Sequence, residues 1–280
     1  MANYRPWAGR KAVVCGGTSG LGLHLLLELA QQGAHVAAIG RDRKRLAQAI
    51  ELAQKSGASS SVGFSIDVQH TSVSMSDGDR DLSEWLVQNP VDLLINAVGS
   101  SDRGSLTHLT SEELADQFSV NVLSAWNMTR LSLASLQRAS GVIVNIGSLA
   151  GLIATPNMGG YCVSKFGLTA LSRQLRLELS GQGISVMIAM LGPIAREDAG
   201  QRYATLAQTR GLTEEKTQAP GGGAKLRLLD PQMVSQRILA AANARKREIV
   251  MPGKAKFLAA LAPLWPSMAD RILRSYLPNP

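Results

Sequence analysis

The chain has 280 residues, 45% of them hydrophobic and 18% charged, with a mean hydropathy of +0.03. At roughly 150 residues per domain this is one or two domains, long enough to bury roughly three quarters of the unfolded surface. The composition excludes disordered and collagen-like chains, and two cysteines, Cys15 and Cys162, are too few for a disulfide scaffold.

The formal charge is +8 and the isoelectric point is near 9.8. Residues 1–195 carry 15 Lys/Arg against 14 Asp/Glu, whereas residues 196–280 carry 14 against 7, a local net of +7. Aromatic residues make up 4% of the chain, too sparse for base stacking, so a nucleic-acid partner is not expected. No run reaches the roughly 18 apolar residues of a spanning helix, and residues 1–10 hold no apolar signal-peptide core. A cytoplasmic protein, at most membrane-peripheral, is expected.

Short apolar runs rich in β-branched residues alternate with longer helical patterns. Strands are expected at Ala12–Cys15, His35–Ile39, Val62–Ile66, Val91–Ala97, Val142–Ile146, Ile184–Leu191 and Glu248–Met251. Their apolarity is continuous, not alternating, as strands buried on both faces require. Helices are expected at Leu21–Gln32, Arg43–Lys55, Leu82–Gln88, Glu112–Ala139, Gly159–Ser180 and Pro231–Arg245, with a short one near Ala199–Gln208. The order predicts an α/β fold, a doubly wound seven-stranded parallel sheet with helices on both faces. Gln69–Asp81 reads as a polar surface loop, and Thr217–Ala224, with three consecutive glycines, as a linker.

The first strand runs into Gly16-Gly17-Thr18-Ser19-Gly20-Leu21-Gly22 and then a helix. Glycines at 16, 20 and 22 allow a tight turn and close approach of the backbone to a pyrophosphate, and the free N–H groups at the helix start favour the anion. Past the second strand, where an acidic residue would read a ribose 2′-hydroxyl, the chain offers Gly40 and Arg41. A guanidinium suits a 2′-phosphate, which favours NADP(H) over NAD(H).

Tyr161 and Lys165 stand four residues apart in a helical pattern and share a face. An ammonium beside a phenol favours phenolate and lowers the tyrosine pKa from about 10, so Tyr161 suits general acid–base work. Ser148 follows the strand Val142–Ile146, at the strand end where ligands bind in such sheets. No metal site is expected.

Gly16-x3-Gly20-x-Gly22, Asn96-Ala97-Val98-Gly99, Asn121, Ser148 and Tyr161-x3-Lys165, in this order, give the chain a clear resemblance to the short-chain dehydrogenase/reductase family. The similarity covers about residues 10–250 and implies a Rossmann domain. It implies a tetrad in which Tyr161 is the acid/base, Ser148 polarises the carbonyl, Lys165 holds the nicotinamide ribose and Asn121 holds a relay water. It further implies cofactor contacts from Gly16, Thr18, Ser19, Gly20, Leu21, Gly22, Arg41, Asp67, Asn96, Gly99, Tyr161, Lys165 and Ile194, with Asp67 near the adenine.

Three positions depart from the family pattern. Asn-Asn-Ala-Gly becomes Asn96-Ala97-Val98-Gly99, the Pro-Gly after the sixth strand becomes Leu191-Gly192-Pro193-Ile194, and a common threonine is Arg196. The resemblance divides the chain into a domain at 1–253, with a substrate lid at 196–229, and a C-terminal helical extension at 254–280. The expected activity is NADPH-dependent reduction of a carbonyl on a small hydrophobic or 3-oxoacyl-type substrate. Secondary-alcohol oxidation at the same site and a catalytically idle binding protein are the alternatives. The extension mixes Phe257, Leu258, Leu261, Leu264 and Trp265 with Lys254, Lys256, Arg271 and Arg274. It reads as a helix packed on its own or a partner subunit, or as an interfacial membrane contact. A homodimer or homotetramer is expected by analogy with the family.

Overall fold

The computed structural model describes residues 5–69, 77–195, 227–262 and 264–276. Seven parallel strands form one sheet in the order β3-β2-β1-β4-β5-β6-β7. They are β1 (Lys11–Cys15), β2 (His35–Gly40), β3 (Ser60–Ser65), β4 (Leu93–Asn96), β5 (Val142–Ile146), β6 (Ser185–Leu191) and β7 (Glu248–Met251). This is the doubly wound sheet expected from the alternation of strands and helices.

Alternate strand residues feed opposite layers, because successive side chains of a strand point to opposite faces. Ala12 and Val14 pack with α1 (Gly20–Gln31), α2 (Arg43–Lys55) and the helix Pro231–Asn243 (α7). Val13 and Cys15 pack with α3 (Asp77–Gln88), α5 (Ser124–Ala139) and α6 (Tyr161–Glu178). Trp7, fully buried, donates its indole N–H to the Leu239 carbonyl at 3.3 Å and ties the N-terminal segment to α7. Burial of such a side chain contributes about 1.5–3 kcal/mol. Beyond β7, α8 (Ala255–Leu261) and α9 (Pro266–Tyr276) follow in sequence.

Two elements differ from the sequence reading. The Gln69–Asp81 segment is not all loop, since α3 begins at Asp77. The single helix expected at Glu112–Ala139 is three pieces: α4 (Ser111–Phe118), a π-helical turn (Ser119–Leu123) and α5. In that turn the Ser124 N–H donates to the Ser119 carbonyl, five residues back. A periodicity count does not register one inserted residue. The short helix near Ala199–Gln208, the triple glycine, Arg196 and most of the expected lid lie outside the described residues.

A buried polar chain crosses the middle of the sheet. Asn96 on β4 donates through Nδ2 to Asn145 Oδ1 on β5 at 2.8 Å, and Asn145 Nδ2 donates to Ser172 Oγ on α6 at 2.8 Å. Asn145 is fully buried. Asn145→Ala should therefore lower the unfolding free energy by about 1–3 kcal/mol, because it strands buried partners. Urea unfolding should show a lower midpoint at an unchanged slope.

Candidate active site

Strand order reverses between β1 and β4, and the loops after these strands open at that switch point. The turn after β1 is built by steric necessity. Gly16 has φ +82°, and a Cβ on it would stand 2.9 Å from the Val98 nitrogen. A Cβ on Gly22 would overlap the Gly16 carbonyl oxygen, so the first turn of α1 seats directly on the loop. Ser19 caps α1 in extended conformation without a side-chain bond to the helix, and the first turn holds no acidic residue. The opening N–H groups of α1 thus meet no side-chain cap from Ser19. Thr18, Ser19, Gly20 and Leu21 surround this anion cradle, which suits a pyrophosphate.

The end of β2 adds a cation. Thr18 packs over Gly40, where a Cβ would come within 2.5 Å of Thr18 Cγ2. The position a ribose-reading acid would occupy is therefore filled by Thr18. Arg41, exposed, lies 3.6 Å from Asp67 Oδ2 just past β3. Asp67 also accepts from the Gln69 N–H at 3.2 Å. The two predicted readers of the adenosine end are thus adjacent. Asp42 beside them caps α2 by accepting from Lys44 and Arg45 N–H, and these bonds hold its carboxyl below the usual range.

The proton-handling groups converge at the other end of the cleft. Lys165, one turn into α6, is almost fully buried and donates to the Ile146 carbonyl at the end of β5, 3.0 Å away. Its Nζ lies 5.7 Å from the centre of the half-exposed Tyr161 ring. Burial pushes the Lys165 pKa down from 10.5 to about 8. Ser148 stands at the N-cap of a single turn, Leu149–Gly151, and accepts from the Ala150 N–H at 3.1 Å. A Cβ on Gly151 would come 2.6 Å from the Lys165 carbonyl oxygen, so only glycine lets the Ser148 loop lie against α6.

Asn121 sits in the π-turn, fully buried. Its Oδ1 accepts from Ser100 N–H at 3.1 Å, and its Nδ2 donates to the Ser100 carbonyl at 2.9 Å and to Ser164 Oγ at 3.1 Å. A Cβ on Gly99 would stand 2.8 Å from Asn121 Oδ1 and 3.4 Å from Lys165 Nζ. Asn121 and Lys165 therefore meet across Gly99. The π-turn supplies the register that a regular helix would not.

Asn96, expected at the cofactor, closes β4 at the same end of the sheet. Its side chain points into the fold, donating to Asn145 and, at 3.4 Å, to the Ala125 carbonyl and Thr129 hydroxyl. Ile194 pairs with Leu229 across the undescribed stretch, with Ala195 N–H on the Leu229 carbonyl at 2.9 Å. Ser100, Ser164, Asp102 and Arg103 escaped the sequence reading, since nothing in their spacing marks them. Cys15, beside the glycine turn, is a buried thiol pushed up to about 12, which makes it chemically inert.

Residues 10–205 match the family model of the short chain dehydrogenases, and the chain belongs to that family. It is similar to the ketoacyl reductase HetN of Nostoc sp., 28% identical over 279 residues, which cover 95% of this chain and 88% of that protein. A very-long-chain 3-oxoacyl-CoA reductase of Laccaria bicolor is 34% identical over 191 residues, 66% of this chain and 55% of that protein. A solved short chain dehydrogenase from Burkholderia cenocepacia, in complex with NADP, superposes with a TM-score of 0.72 at 21% identity. That match covers 95% of this chain and 98% of the other.

The buried ammonium has a thermodynamic consequence. Between pH 8 and 10.5 the unfolded chain binds the Lys165 proton and the folded chain does not, so this group makes unfolding harder as pH rises. Urea unfolding of wild type and Lys165→Met at pH 7.5 and pH 10 should show the stability difference moving towards wild type at the higher pH.

Proposed function

We propose that the chain is an NADPH-dependent carbonyl reductase in which Tyr161 delivers the proton. The observation that carries this is the Lys165 ammonium, buried against the Ile146 carbonyl between Tyr161 and Asn121. A phenol beside a desolvated cation gives up its proton readily, because the phenolate left behind is stabilised where water screens little. Ser148 Oγ holds the carbonyl oxygen as charge develops on it. Lys165 then returns a proton to Tyr161 and is reprotonated from solvent through a water that Asn121 holds, and Lys165 also holds the nicotinamide ribose.

The glycine cradle fits a dinucleotide, as glycines at 16 and 22 let the loop pack directly under α1, whose start carries no side-chain cap and offers its N–H groups to an anion. Arg41 binds the 2′-phosphate, with Asp67 at the adenine and the Gly99 and Ile194 backbones along the nicotinamide half. Asn96 supports this wall through its buried hydrogen bonds. Bound NADPH supplies the hydride to the carbonyl carbon. The electron pair of the carbonyl π bond then resides on oxygen, where the Tyr161 proton closes the alcohol.

The substrate is a hydrophobic ketone or 3-oxoacyl compound, a reading supported by the ketoacyl and 3-oxoacyl-CoA reductases to which the chain is similar. The exposed apolar side chains of Phe118, Leu123, Val163 and Phe166, on the π-turn flank and α6, support a homodimer or homotetramer. Residues 254–280 make peripheral contact with an anionic membrane. Phe257 is 83% and Trp265 58% exposed, with exposed Lys254, Lys256, Arg271 and Arg274 around them. No helix among the described residues is long and apolar enough to cross a membrane. Both cysteines are free and buried, which suits a cytoplasmic setting.

Assays over ketones of graded chain length should show NADPH oxidation that Tyr161→Phe lowers about 10²-fold or more, the usual worth of a general acid. Arg41→Ala should weaken NADPH binding and leave NADH binding unchanged. Turnover surviving in Tyr161→Phe would sink the reading. In flotation, the full chain should rise with phosphatidylglycerol-containing vesicles and stay down with pure phosphatidylcholine, and a chain ending at residue 253 should rise with neither.

A further inference from the structure

Among the described residues, the buried charged side chains are Lys165, Asp102 and Arg103. The first has a place in the proposed chemistry, and the other two do not. Taking a carboxylate out of water costs several kcal/mol unless its oxygens are satisfied, so the position of Asp102 needs a reason.

Asp102 lies on the strap Gly99–Gly104 that leaves β4. Its Oδ1 accepts from the Arg103 N–H at 2.8 Å, and its Oδ2 accepts from the Gly160 N–H at 3.2 Å. Gly160 is the N-cap of α6 and makes no cap of its own; Tyr161 is the first residue of that helix. The carboxylate therefore caps α6 from another segment, with its charge at the positive end of the helix dipole. Gly159 yields to it: its φ is +49°, and a Cβ there would overlap Asp102 Oδ2. The backbone repeats the clasp, with Gly104 N–H on the Asn157 carbonyl at 3.1 Å and Gly159 N–H on the Gly104 carbonyl at 2.8 Å. Arg103 closes it by donating to the Asp102 carbonyl at 2.7 Å and reaching Met158 Sδ at 3.5 Å.

The same strap grips Asn121 at its other end, through both bonds of Ser100. We propose that Asp102 is a positioning residue: its carboxylate docks the strap on the start of α6 and sets Tyr161 and Lys165 in register with Asn121. This rests on the reductase reading of those three residues, and it adds a group that touches neither substrate nor cofactor.

The test compares full-length wild type, Asp102→Ala and Asp102→Asn, with ethyl acetoacetate as a 3-oxo probe and hydrogen exchange along 159–165. Asp102→Ala should lower kcat about 10-fold or more, as misplaced reacting groups do. Asp102→Asn keeps an accepting oxygen and should recover most of kcat. Exchange at 160–165 should quicken in the alanine variant and stay near wild type in the asparagine variant. Gly159→Ala should lower kcat as well, but by less when Asp102 is already alanine, since the two then no longer collide. A folded Asp102→Ala with wild-type kcat and exchange overturns the proposal, as does an asparagine variant impaired as badly as alanine. If wild type itself turns over no ketone, the reductase reading fails, and the exchange data alone decide whether Asp102 docks the helix.

Discussion

A single ammonium group, Lys165, has been carried out of water to the carboxyl end of a parallel sheet, and the surrounding architecture answers to it. Burial disfavours its charge and brings its pKa down to about 8, yet the Ile146 carbonyl keeps a proton acceptor within 3.0 Å. That contact needs β5 to end at residue 146 and α6 to begin at residue 161. It needs glycine at 99 and 151, where any Cβ would press on Asn121 or on the Lys165 carbonyl. It also needs the helix that follows β4 to slip by one residue, so that Asn121 faces Gly99 from a π-turn. Each local oddity of the region is a condition for the same buried charge.

The turn after β1 follows a different physical rule, that of backbone packed on backbone. Glycines at 16 and 22 remove side chains where the loop meets the Val98 backbone and the first turn of α1, and α1 opens with no acidic side chain in that turn. Arg41 is paired with Asp67, but the pair is exposed, and such pairs are worth about 0–1 kcal/mol. Arg41 is thus held near Asp67 by a weak, solvent-screened attraction.

Much of the architecture was legible in the residues. Predominantly apolar runs at 12–15, 142–146 and 184–191, broken only by Asn145 and Ser185, identify strands covered on both faces, because such strands have no polar side. The glycine spacing and the Tyr161–Lys165 step identify the two ends of the cleft, since both motifs are short-range and each depends on one turn of chain. Asn121 was legible only through the family resemblance. By itself, an asparagine in a helical pattern is a poor helix former with no declared partner.

Sequence alone determined the order of strands and helices, the glycine turn after β1, the cation at 41 and the pairing of Tyr161 with Lys165, because each of these is written in neighbours along the chain. Only the tertiary structure decided that Asn96 turns inward to Asn145, that the helix around Asn121 carries a π-turn, and that Asp102 caps a helix 58 residues away. These depend on which backbone passes within hydrogen-bond reach of a buried polar group. Contact of that kind is fixed by how the layers pack, and no local spacing records it.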